Sequence, residues 1–184
     1  MKCKEELKVI LGSGDSKRKG WIGLDIGDYG QEVVRDMRKG LPFCNNSCKS
    51  LYADQVLEHI QLNEDYIFVL NECLRVLNAG CLFYIAVPFY TAPTAFKDPT
   101  HCRFFTEATF TYMEGICKWQ YGFDKRWRVV FQLRKGDHLV SVLLADKDDW
   151  VKNNPDKFEQ IKKTVEKQIV EDITMDFKFL NETI

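Results

Sequence analysis

LKVILGSGDSKRKGWIGLD, residues 7–25, reads as a buried strand, a glycine turn and a second strand that ends in a carboxylate. Leu7, Val9, Ile10 and Leu11 form an apolar run of strand length, stopped by Gly12-Ser13-Gly14. Two glycines around one small residue let the backbone turn sharply and approach a ligand closely, because no Cβ stands in the way. Trp21-Ile22-Gly23-Leu24 then rises as another apolar strand with Asp25 at its carboxyl end. Ligands of open α/β sheets bind outside the carboxyl ends of the strands. Exposed N–H groups beside a carboxylate suit a ligand with a polar tail and a ribose diol, that is, a nucleoside cofactor. A tight turn with a solvated basic loop is the other reading of this stretch alone.

The turn departs from the dinucleotide fingerprint. Lys17 stands where a third glycine would open a helix, and Asp25 arrives sooner than the usual acid about 20 residues on. Asp15–Gly20 is too short and too charged for a crossover helix. Parallel strands normally need about a dozen residues to cross over, so either this connection is an irregular loop or the strand ends lie elsewhere.

Outward from this stretch, 184 residues suggest one domain with a small appendage, and 45% hydrophobic content is enough for a full core. A net charge of −1 supplies no basic field, so nucleic acid is not indicated as a partner. Seven cysteines, at 3, 44, 48, 73, 81, 102 and 117, include no CxxC pair, and several sit in apolar runs. They are expected as free thiols in a reducing compartment, with neither a zinc knuckle nor a disulfide frame. No metal is expected. MKCKEELK has no apolar h-region, and the longest apolar run, Cys81–Tyr90, cannot span a bilayer, so a cytoplasmic protein without a membrane partner is expected. The oligomeric state is open.

Residues 26–30 are a loop by their glycines, and 32–36 a short edge strand that ends in Asp36. Ser50–Ala53 is a brief buried strand. Asn63 is placed to cap a helix over 64–77, where Ile67, Leu70, Leu74 and Leu77 recur at helical spacing, and Asn78-Ala79-Gly80 is placed to end it. Cys81–Val87 is apolar on both faces, as a central parallel strand must be. Residues 89–105 form a long loop, and Thr106 caps a helix over 107–117. Arg126–Leu133 and His138–Ala145 make a hairpin around Lys135-Gly136-Asp137. Asn154-Pro155-Asp156 opens a last helix with an apolar stripe of Phe158, Ile161, Val165 and Ile169, and 173–179 alternates like a strand.

Four stretches together carry a family resemblance. LGSGDSKRKGWIGLDI, VVRDMRKGLPFCNNS, LYADQVLEHI with ECLRVLNAGCLFYIAVP, and DPTHCRFFTEATF resemble a class I S-adenosylmethionine-dependent methyltransferase of the short type with a reduced first crossover. The resemblance covers roughly residues 7–110, and the terminal hairpin fits the family's last two strands. It departs at Ile10-Leu11, where an acid often precedes the turn, at Lys49, and at Asn78 and Cys81.

The resemblance implies a Rossmann-like α/β fold, a mostly parallel seven-stranded sheet with a C-terminal antiparallel hairpin. It implies a methyltransferase domain over 1–150, with a helix and tail over 151–184 expected to pack on it. S-adenosylmethionine is the implied cofactor, held by Leu11, Gly12, Ser13, Gly14, Asp25, Ile26, Asp36, Met37, Asp54 and Gln55. Asp25 would accept from the ribose hydroxyls and Asp36 from the adenine amine, with Met37 against the ring. For Asp36 the plainer alternative is a surface acid paired with Arg35 or Arg38. His101 and His59 are candidate bases; the alternatives are that His101 tethers its loop and that His59 organises the end of its strand. Tyr90, Asp98 and Arg103 are candidate substrate contacts in a lid over 90–105. The implied reaction is methyl transfer to an O or N nucleophile of a small or conjugated acceptor. A non-catalytic cofactor-binding or assembly module, and a nicotinamide-dependent reductase, are the rival readings.

Overall fold

The computed structural model describes residues 6–114, 122–123 and 126–171. Seven strands form one sheet: β1 (Leu7–Leu11), β2 (Ile22–Asp25), β3 (Val33–Val34), β4 (Cys48–Asp54), β5 (Leu77–Pro88), β6 (Trp127–Lys135) and β7 (His138–Ala145). Their order is β3-β2-β1-β4-β5-β7-β6. Pairing is parallel from β3 through to β5, and antiparallel where β7 meets β5 and β6. This is the mostly parallel α/β sheet with a terminal antiparallel pair that the sequence implies. The chain steps outward in opposite directions from β1 and β4, so a crevice opens between their carboxyl ends.

No helix joins β1 to β2. The connection is a run of turns and irregular chain, and Val9, Ile10 and Leu11 still pair in parallel register with Ile22, Gly23 and Leu24. The two sheet faces follow from alternation along the strands. On one face Leu11, Leu51, Phe83 and Ile85 meet Val69, Leu70 and Leu74 of α1 (Asn63–Val76), together with Phe105 and Phe110. On the other, Ile10, Tyr52, Tyr84 and Val142 share a cluster with Val165 and Ile169, and Phe158 and Ile161 lie at its margin. Those last four residues are the apolar stripe of the final helix. Among the described residues that helix is the fifth; α2 (Thr94–Lys97), α3 (Glu107–Thr111) and α4 (Trp150–Asn153) precede α5 (Pro155–Glu171).

Several local expectations change. Asn63 is the first residue of α1 and not its cap: Leu62 holds that place, and the Asn63 amide oxygen accepts from Arg103 instead. Residues 78–80 are no helix terminator, because α1 ends at Val76 and β5 starts at Leu77, whose N–H still bonds the Cys73 carbonyl. The 89–105 segment is not all loop, since α2 lies in it. The helix after Thr106 closes at Thr111 into a single 3-10 turn, Tyr112–Glu114; the rest of its expected span, and the strand-like 173–179, lie outside the described residues. Cys48, Cys73, Cys81 and Cys102 are free thiols, but Cys44 is disulfide-bonded, against the expectation of none.

A charged hub holds the loop between β3 and β4 onto α1. Glu72 accepts the Leu41 N–H at 2.8 Å and pairs with Arg75 at 2.6 Å. Arg75 in turn donates to the carbonyls of Leu41 and Phe43 and to Asn45. Lys147, buried after β7, donates to Asn46, Leu77 and the Arg75 carbonyl, so a cation closes the C-terminal end of α1.

Candidate functional site

The glycine turn lies at the carboxyl end of β1 and is locked to β2. Gly12 has φ +63°, and a Cβ there would stand 2.3 Å from the Val56 side chain. Both the backbone angle and the packing therefore require glycine. Gly14 has φ +52° with open space where a Cβ would be, and its N–H donates to Asp25 Oδ2 at 2.8 Å. The Gly27 N–H donates to Asp25 Oδ1 at 3.0 Å. Two backbone donors thus fix the carboxylate at the crevice while each oxygen keeps lone-pair capacity for a ligand.

Two cavities meet at this turn. One, of about 450 Å³, is lined by Gly12, Asp25, Ile26, Asp36, Met37 and Gln55, with Tyr29, Arg35, Arg38, Val56, His59 and Ile60 completing the wall. The other, of about 470 Å³, is bounded by Ser13, Ser16, Lys17, Arg18, Asp54 and Tyr52. Gly12 and Gln55 belong to both walls. Gln55 has φ +54°, and its buried Nε2 has no hydrogen-bond partner, an amide donor held at the junction of the two spaces. Asp54 accepts from the Tyr52 hydroxyl at 2.7 Å, and the Arg18 guanidinium lies 5.1 Å from the Tyr52 ring centroid, leaving the second cavity with basic walls. Leu11 is fully buried, so only its backbone can reach a ligand.

Asp36 caps the turn Met37–Lys39 through the Arg38 N–H. Its two oxygens also take a forked pair from the Arg38 guanidinium, both at 2.9 Å, and that hydrogen bonding is the first cause holding its carboxyl below the ordinary range. Arg35 turns away to the carbonyls of Lys39 and Gly40. Of the two partners considered for Asp36, Arg38 is the one it has, and the pair stands in the cavity wall. Tyr29 is a wall residue that sequence reasoning missed; its loop is shaped by Gln31, whose side chain accepts the Tyr29 N–H and donates to the Gly27 carbonyl. A buried glutamine beside two glycines was the available signal.

The two candidate bases come together but not alike. His59 lines the cavity of about 450 Å³, whereas the His101 side chain is 6% exposed and lies behind it, their ring centroids 4.7 Å apart. Burial first, and then His101, hold the His59 imidazole below its usual range. Beside them lies Glu58. It is fully buried, neither carboxylate oxygen has a hydrogen-bond partner, and burial raises its pKa to about 7. The loop residues are divided. Asp98 is tied to Thr100 and lies 4.0 Å from His101, while Tyr90 is exposed and lines neither cavity. Arg103 points elsewhere, donating to the Ile60 and Gln61 carbonyls and lying 4.4 Å from the Tyr66 ring centroid.

No protein-family model matches the sequence, and no curated protein matches it. Solved structures do match by shape. A SAM-dependent methyltransferase from Archaeoglobus fulgidus aligns with TM-score 0.56 at 14% identity, over 77% of this chain and 86% of that one. A SAM-dependent methyltransferase from Thermotoga maritima aligns with TM-score 0.55 at 15% identity, over 77% and 83%. Burkholderia thailandensis 1,6-didemethyltoxoflavin-N1-methyltransferase, solved with its acceptor and S-adenosylhomocysteine, aligns with TM-score 0.55 at 14% identity, over 77% and 72%. The chain has the class I SAM-dependent methyltransferase fold.

Proposed function

We propose that the chain binds S-adenosylmethionine across the two joined cavities and transfers its methyl group to a small or conjugated acceptor. The observation that carries this reading is the cavity of about 450 Å³ at the carboxyl ends of β1 and β2, with Gly12, Asp25, Asp36 and Gln55 in its wall. The donor and acceptor set fits such a ligand. Asp25, already oriented by Gly14 and Gly27, would accept from both ribose hydroxyls. Asp36, held still by Arg38, would accept from the adenine amine, and Met37 would cover the ring. In the second cavity, Lys17 and Arg18 suit a carboxylate.

When bound, S-adenosylmethionine supplies an electrophilic methyl group on a sulfonium. The chain's own contribution is to align an acceptor with it and to exclude water. Of the two candidate bases, His59 is the one that reaches the cavity wall, with Glu58 and His101 behind it. The 90–105 segment, whose exposed Phe96 and Phe104 rings stack at 4.8 Å, would cover the acceptor. A nicotinamide reductase is disfavoured by Lys17 in place of the third glycine.

A thermal-shift panel of S-adenosylhomocysteine, NAD and NADP tests the reading. The melting temperature should rise with S-adenosylhomocysteine alone; a rise with NAD or NADP alone would overturn it. A tritiated-methyl transfer screen over small metabolites, sugars, lipids, peptides and RNA then separates a catalyst from a cofactor-binding module, which would bind and transfer nothing.

A further inference from the structure

We propose that Glu58, His59 and His101 form a binding site for a divalent transition ion of the zinc class. One ligand atom from each residue lies within 4.8 Å of the other two, and His101 Nε2 stands 3.9 Å from Glu58 Oε1. Donors around a tetrahedral zinc stand about 3.3 Å apart, so side-chain rotations of about an ångström close the set.

The protonation pattern of the two rings is that of ligands. His101 Nδ1 lies 3.2 Å from the Ala95 carbonyl, which can only accept, so Nδ1 is the donor there and Nε2, facing Glu58, is the nitrogen whose lone pair an ion would take. His59 Nδ1 lies 2.9 Å from Thr100 Oγ1. That hydroxyl spends its own proton on Asp98 Oδ1 at 2.7 Å and therefore accepts from His59, leaving its Nε2 lone pair available. Metal-binding histidines are held in this way, the far nitrogen donating to a carbonyl or to a chain that ends in a carboxylate.

Glu58 is the independent observation. A fully buried carboxylate with no hydrogen-bond partner on either oxygen is costly unless a cation or a proton satisfies it. The two segments that supply the set are also fastened together, since the Cys102 N–H and Sγ both donate to the Glu58 carbonyl. Two imidazoles and one carboxylate select zinc-class ions over magnesium or calcium, which take oxygen ligands. Three protein ligands leave at least one coordination position for a water or an oxygen of another molecule. Because His59 lines the cavity that also holds Asp25 and Asp36, that position lies at its rim. A role there in presenting the acceptor rests on the methyltransferase reading; the binding of the ion does not.

The test is a cobalt titration of the chelator-treated full-length protein, followed by visible absorption, with zinc competition and a magnesium control. One equivalent of cobalt should give four- or five-coordinate d–d bands, displaced by zinc and untouched by magnesium. Glu58→Gln and His101→Gln should each weaken binding at least about tenfold, the lower end of what even outer-sphere changes cost. His138→Gln, in the third histidine, should leave it unchanged. No saturable bands, binding insensitive to both ligand substitutions, or a thiolate charge-transfer band lost in Cys102→Ser would overturn the site. Either ligand variant suffices if the other fails to fold. Ion binding is read without cofactor, so failure of S-adenosylhomocysteine to bind would count against the proposed function and not against the ion.

Discussion

Gly12 and Gly14 look equivalent in the sequence but differ in what holds them. A methyl at Gly12 meets Val56 at 2.3 Å as well as an unfavourable φ, whereas at Gly14 it meets only the φ. Gly12→Ala should therefore cost about 1–3 kcal/mol, and Gly14→Ala no more than about 1–2, read from urea denaturation. An equal loss in both would mean that Val56 yields freely. Asp36 divides its oxygens between Arg38 and whatever enters the cavity. Asp36→Asn keeps the shape and removes the charge, and should weaken S-adenosylhomocysteine without changing affinity for S-ribosylhomocysteine, which lacks the adenine. Equal weakening of both would place Asp36 in support of the loop alone. The strand-end acids were legible because an apolar run that stops at a carboxylate marks a carboxyl edge. Glu58 was not, because its surroundings include His101 and Cys102, which come from the segment after β5.

Among the elements, α1 does two tasks that its periodicity does not display. One face fills the core through Val69, Leu70 and Leu74, and the Glu72–Arg75 pair holds the loop before β4. Arg75→Ala should destabilise by about 1.5 kcal/mol, the low end for a charged hydrogen bond, because Arg75 is partly exposed and screened. No change in the urea midpoint would make the hub incidental. The Arg75 pairing is the first cause of the lowered Glu72 pKa. Its stabilisation is therefore complete above the unfolded-state value near 4.5 and is lost as pH falls through the lower folded value. Glu72→Gln should flatten that acid limb of the stability curve, and an unaltered limb would refute the linkage. Asn63 reads as a cap in isolation, but a partner from a distant loop claims its amide, which local sequence cannot report. We further propose that the methyltransferase domain ends near residue 150, with α5 beyond it packed as an extension on the second sheet face. Ile169→Ala should cost about 2–4 kcal/mol, and protease should spare α5 in the folded protein. Early cleavage within α5 would make it a free arm.

At the scale of the whole molecule, strand order and site share one origin. The parallel strands lead outward from β1 and β4, which leaves the crevice between them, and the missing first crossover helix leaves Lys17 and Arg18 where a helix N-terminus would otherwise stand. The sheet was legible because apolar runs such as Cys81–Val87 tolerate only a central position. The short crossover was legible because Asp15–Gly20 has too few residues for a helix. Encounters between distant segments stayed hidden: Tyr29, Arg38 and Val56 on one cavity wall, and Glu58 beside His101. The central claim is that Asp25, fixed by Gly14 and Gly27, grips a nucleoside at this crevice. Calorimetric titration of S-adenosylhomocysteine into the wild-type protein and a folded Asp25→Ala variant tests it directly. The wild type should bind one equivalent and the variant more weakly by about 1.5–3 kcal/mol, the worth of a charged hydrogen bond; equal affinities, or no binding by the wild type, would contradict it.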